Sequence, residues 1–200
     1  MSKRHTERGF DRLVNFSDAV VAIAITLLVL PLTDLAGDSD KYDSVLQLLG
    51  EHSGVMSAFL ISFVVLANYW LIHHRIFEWI VDYDITLAWL NIGWLLAIVL
   101  IPFTTEVITN LGFGHGSGLF YSLNLALIGL FLALIGWHVQ RSPELQAPDF
   151  EPNRMRLQKS VIYVAYFVAV GLFSLVNPDL ASWAMLGLIP LSLLLKEDRN

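Results

Sequence analysis

The chain has 200 residues, 56% of them apolar and only 15% charged, with a net charge of -6 and no cysteine. A water-soluble domain carries about 25% charged residues, so lipid is the expected solvent for much of this chain and a soluble enzyme is disfavoured. The acidic balance, without a basic patch, argues against a nucleic-acid partner, and the absence of thiols excludes disulfides and thiolate metal sites.

Six stretches lack Asp, Glu, Lys and Arg: Ala19–Leu32, Val55–Ile72, Ile85–Phe103, Leu119–Val139, Val161–Val176 and Leu180–Leu195. A helix crossing a hydrocarbon core of roughly 30 Å needs about 20 residues. With a few flanking residues, the stretches predict six transmembrane helices over approximately 12–32, 52–75, 84–108, 117–139, 157–176 and 179–196, in one domain covering 1–200. Backbone groups in lipid must be satisfied internally, and the runs are too uniformly apolar for barrel strands, which alternate over about 10 residues. The expected fold class is an all-α integral membrane protein. A cleavable signal peptide competes for the first stretch, but Pro31-Leu32-Thr33-Asp34 leads into an acidic loop without a small-residue cleavage site.

Six spans put both termini on one side. That side collects Lys3, Arg4, Arg8, Arg12, Arg75, Arg141, Arg154, Arg156, Lys159, Lys196 and Arg199. Only Lys41 lies opposite, among Asp34, Asp38, Asp40 and Asp43. The positive-inside rule predicts a multi-pass protein of the cell membrane with both termini cytoplasmic. The connection Arg141–Ser160, with Pro143, Pro148 and Pro152, reads as a polar linker.

In the first span, Arg12 and Phe16-Ser17-Asp18 flank the cytoplasmic end. Ser17 and Asp18 read either as a helix cap at the interface or as one end of a protein-lined ion path. Ile23, Leu27 and Leu30, spaced i, i+4, i+7, share one helix face, a pattern equally suited to packing. Thr26 either bonds back to the Ala22 carbonyl or offers oxygen to a cation. Ala19, Ala22 and Ala24 permit close helix contact.

Tyr69 and Trp70 read as interfacial aromatics at the end of the second span, beside His73 and His74. The two histidines lie about 100° apart on a helix, so one faces inward, and neighbours so placed do not converge on a metal ion. Asn91 lies within the third span, where an amide needs a partner. His138, alone at a span end, reads as interfacial, and Glu106 joins the acidic exterior, either a solvated surface or a vestibule concentrating cations.

Arg12, Phe16-Ser17-Asp18 and Thr26 together resemble the signature of the transmembrane protein 175 family, the lysosomal potassium channels and their prokaryotic relatives. Asn68-Tyr69-Trp70 with His73-His74, Asn91, and Pro102-Phe103-Thr104 are similar to that family's second and third helices. Ala19 departs from it, since Gly often follows the Asp. The resemblance implies a homotetramer of six-span subunits in membrane lipid, with the first helix of each lining a central pore for potassium ions. It implies stacked apolar rings of Ile23, Leu27 and Leu30, narrowest at Ile23, in place of the Thr-Val-Gly-Tyr-Gly filter that this sequence lacks. It also implies a network in which Arg12 or Asp18 pairs with Trp70, His73 or His74, and Asn91, holding the Phe-Ser-Asp segment in place. The function implied is a weakly selective potassium leak channel, with no cofactor and no catalytic residues. A cation- or proton-coupled transporter and a structural membrane subunit are the alternatives. Transporters favour internal repeats and midplane ionisable groups, which the sequence does not show.

Overall fold

Pro31 and Pro102 fall inside apolar stretches. A proline lacks an N–H and crowds the carbonyl four residues before it, so each should break its helix. The structure, a computed structural model, describes residues 7–37, 41–150 and 154–186. Helix α1 (Glu7–Leu27) ends four residues before Pro31, and α2 (Leu30–Gly37) follows. The link is tightened by Leu28 N to Ile25 O at 3.3 Å and Val29 N to Thr26 O at 3.2 Å. The span expected over 12–32 thus contains a break: Leu30 lies beyond it, so the register of Ile23 and Leu27 does not run straight on to it.

After the acidic segment expected as a loop comes a short helix, α3 (Val45–Glu51), whose Gln47 N–H donates to the Ser44 hydroxyl at 3.2 Å. Next come α4 (Ser53–Phe77), α5 (Ile85–Val99) and α6 (Ile101–Leu111). A break at Leu100 falls inside the span expected over 84–108, because Pro102 cannot donate to the Ile98 carbonyl. The Leu100 and Thr104 N–H groups still reach Leu96 O at 3.2 Å and Leu100 O at 2.9 Å, so the chain bends without reversing.

Asp84 begins α5 as an N-cap, its carboxylate accepting from Leu87 N at 2.7 Å. The same carboxylate lies 2.9 and 3.1 Å from His138 Nε2 near the end of α7 (Ser117–Arg141). His138 is therefore an inter-helix contact rather than a lone interfacial residue. The following connection is not the free polar linker expected. Its 3-10 turn Pro143–Leu145 buries Leu145, and an antiparallel bridge pairs Ile80 with Gln146. Val81 N donates to Leu145 O and Ala147 N to Trp79 O, each at 3.0 Å. Beyond it lie α8 (Arg154–Ser174) and α9 (Pro178–Leu186).

Among the described residues, four helical segments are long and apolar enough to cross a membrane: Arg8–Leu35, Ser53–Phe77, Ile85–Leu111 and Ser117–Arg141. The apolar part of α8, Ser160–Ser174, is shorter. Most of the span expected over 179–196 lies outside the described residues. Helix α7 is the most buried of the four long segments and packs against α5, α6 and α8. Its approach to α5 requires a residue without a side chain, because a Cβ on Gly93 would sit 2.4 Å from the Phe131 ring. Gly93→Leu should therefore lower the thermal unfolding midpoint in detergent, with a cost of about 1–3 kcal/mol or more from overpacking.

Candidate functional site

Phe16, Ser17 and Asp18 lie on consecutive positions of α1 and so point in different directions. Ser17 is completely buried and its hydroxyl donates to the Leu13 carbonyl at 2.8 Å. The Asn91 amide nitrogen, from α5, donates to Ser17 Oγ at 2.8 Å, and Asn91 Oδ1 stands 2.9 Å from His73 Nε2 on α4. The Leu13 carbonyl can only accept, which commits the serine hydrogen to it. Ser17 Oγ must then accept from Asn91, so Asn91 turns its oxygen to His73 and Nε2 carries the hydrogen. One directional chain thus runs His73 to Asn91 to Ser17 to the backbone of α1. Asn91 is fully buried, and its oxygen and nitrogen each have a partner.

Asp18, half-buried, faces α4, where Trp70 Nε1 donates to its Oδ1 at 2.9 Å. A hydrogen bond to an ionised acceptor is among the stronger kinds. His73 is the inward histidine, stacked between Phe77 at 4.1 Å and Trp94 at 3.9 Å between ring centroids. His74 faces outward, stacks on Trp70 at 5.5 Å and lies 3.4 Å from Glu78. Arg12 and Phe16 are exposed at the same end and do not enter the chain of bonds. Among the described residues no three His, Asp or Glu side chains are grouped to hold a metal.

The hydrogen-bonded face of α1 continues as Val21, Ala24 and, just past its end, Leu28, all buried. The opposite face is open. Ile23 is 60% exposed, Leu27 39% and Leu30, at the start of α2, 53%. Asn15, Ala19, Ala22 and Thr26 share that openness. The Thr26 hydroxyl donates to the Ile23 carbonyl at 2.8 Å, not to Ala22 as its position suggested.

Several polar contacts were not legible beforehand. Ser62, Thr105 and Tyr121 meet in a buried hydroxyl cluster joining α4, α6 and α7, with oxygen separations of 2.8 and 2.9 Å. Small polar residues inside apolar runs were the available signal. Trp94 in the aromatic stack carried no signal beyond its bulk. Asp84, directly before an apolar run, matches the pattern of a helix start.

Replacing Asn91 by Leu should leave Ser17 Oγ and His73 Nε2 without their partner, at a cost of about 1–3 kcal/mol for each buried group stranded. The measurement is the thermal midpoint of the purified chain, where a drop well beyond that of Arg12→Gln is expected.

Residues 12–102 match the family described as endosomal/lysosomal potassium channel TMEM175. A protein from Streptomyces collinus named a potassium channel is 28% identical over 187 residues, covering 88% of this chain and 89% of its own. The human endosomal/lysosomal proton channel TMEM175 is 26% identical over 147 residues, and this chain spans only 29% of its length. The crystal structure of a TMEM175 homologue from Chamaesiphon minutus, described as a lysosomal potassium-selective channel homologue, superposes with a TM-score of 0.73. It covers 94% of this chain and 98% of its own at 22% identity, a likeness of fold. The match to the TMEM175 family thus covers residues 12–102, just under half of the chain, with the Phe16-Ser17-Asp18 segment near their start, while the likeness of fold extends over 94% of it.

Proposed function

We propose that this chain is the subunit of a weakly selective potassium leak channel, a homotetramer in the cell membrane with both termini cytoplasmic and six spans per subunit. Helix α1 lines the central pore, and Ile23, Leu27 and Leu30 form its apolar rings, with Ile23 the narrowest. The observation that carries this reading is the open face of α1. Along the middle of the other long helices the exposed residues are apolar, as with Trp89, Ile92 and Leu96 on α5 or Leu123, Leu127 and Leu130 on α7, while exposed polar residues such as Ser57 and Thr86 lie near the helix starts. The apolar stretches suit lipid. The α1 face instead combines Asn15, small alanines and Thr26 with the branched residues. The Leu27 carbonyl has also lost its usual helical donor to Pro31, and such a group needs protein or water rather than hydrocarbon. Closed symmetric assembly of identical subunits gives such a face a partner. The potassium-channel names of the bacterial relatives support the same reading.

Four Ile23 side chains around an axis form a constriction that water leaves readily, so the ring gates by dewetting. In the open state a cation passes with part of its shell removed. Potassium gives up water more easily than sodium, which favours it modestly and without a carbonyl filter. Thr26 borders the rings and places an oxygen near the path. The bonds of Ser17 and Asp18 to Asn91 and Trp70 hold the cytoplasmic end of α1, so the rings sit on a fixed post.

The test is voltage-clamp recording of the reconstituted chain with Ile23→Asn and Leu27→Asn. Hydrated rings should raise the current several-fold and reduce the potassium-to-sodium ratio. Unchanged conductance and selectivity in both variants would end the ring assignment. Recording under a proton gradient decides whether the activity in the human relative's name extends to this chain.

A further inference from the structure

A cleft of about 330 Å³ opens between the first turns of α1 and the end of α4. Its apolar wall is made by Phe10, Val14 and Phe77, the two phenyl rings near-parallel with their centroids 6.1 Å apart. Its polar wall is made by Asp11, Asn15 and Glu78. The carboxylates come from different helices and face one space across an aromatic surface. Of the basic residues nearby, only His74 lines the cleft, beside Glu78, while Arg8, Arg12 and Arg75 stay outside its wall. Rings against which a cation can rest, paired with carboxylates that supply charge, form the arrangement that recognises organic ammonium groups.

We propose that this cleft binds a small organic ammonium ion. The cationic head sits between the Asp11 and Glu78 carboxylates, its carbon skeleton lies on Phe10 and Val14, and the Asn15 amide accepts from any N–H or O–H the ligand carries. Inorganic potassium makes poor use of such a site, because it gains little from the rings and keeps its water at exposed carboxylates. The site adjoins the start of the open face of α1, with Asn15 common to both. Four of its seven lining residues lie on α1, just before Ser17, and Phe77 is stacked on His73. An occupant therefore ties the start of α1 to the end of α4 and biases the helix that carries Ile23. Binding itself does not depend on the channel reading.

The experiment is calorimetric titration of choline into the full chain in detergent, beside its uncharged isostere dimethylbutanol. Choline should bind saturably and at least about tenfold more tightly than the isostere. Asp11→Asn and Glu78→Gln, both at exposed positions, should each weaken it by about tenfold. Val14→Trp, which fills the cleft without changing its charge, should abolish binding. Equal affinity for choline and the isostere, or choline affinity unmoved by all three substitutions, overturns the proposal. Neither readout involves ion flux, so failure here leaves the channel reading standing, and failure of the channel reading leaves this one standing.

Discussion

The hydrogen-bond chain from His73 through Asn91 to Ser17 fixes one face of α1 against α4 and α5, and the rest of the site depends on it. Each member is buried and each polar atom in the chain has a defined partner, so the arrangement cannot slide by a residue without stranding a donor or an acceptor. Asp18 and Trp70 add a second tie beside it. Stacking of His73 between Phe77 and Trp94 then fixes the plane of the imidazole, which aims the bond to Asn91.

That anchoring is one-sided. Ser17, Val21, Ala24 and Leu28 are buried, while Ile23, Leu27 and Leu30 are left in the open. In water such a face would signal association between subunits. In a bilayer, where apolar side chains are at home, the signal comes from the polar and small residues interleaved with them. Asn15 and Thr26 on the open face, and a carbonyl deprived of its donor by Pro31, favour an axis shared with other subunits over contact with acyl chains.

The two prolines act alike in different places. Pro31 ends α1 just after Leu27 and starts α2 at Leu30. Pro102 bends the third apolar run so that α6 leans on α4 and α7. The bend brings Thr105 to Ser62 and Tyr121, forming another buried polar contact between helices. At the opposite end of the bundle, Asp84 caps α5 and meets His138, and the two connecting segments pair through Ile80 and Gln146. Polar bonds thus close the bundle where van der Waals packing alone specifies position weakly.

Hydropathy along the chain was enough to locate the four long apolar helices, because lipid imposes one requirement on every residue of a span and that requirement is local. The need of Asn91 for a partner was equally local, since an amide inside an apolar run is costly wherever it sits. Which atoms meet it was decided by tertiary structure, because Asn91 lies 18 residues from His73 and 74 from Ser17, and the three converge only when three helices pack. The inward turn of His73 rather than His74 was settled the same way, by the aromatic slot between Phe77 and Trp94. The proline breaks were inherent in Pro31 and Pro102, but whether each would bend or divide a helix depended on the neighbours able to take up the freed backbone groups. Composition and periodicity determined that this chain is a bundle of apolar helices with a polar segment at the start of the first; three-dimensional packing alone decided which face of that helix is held and which is left open.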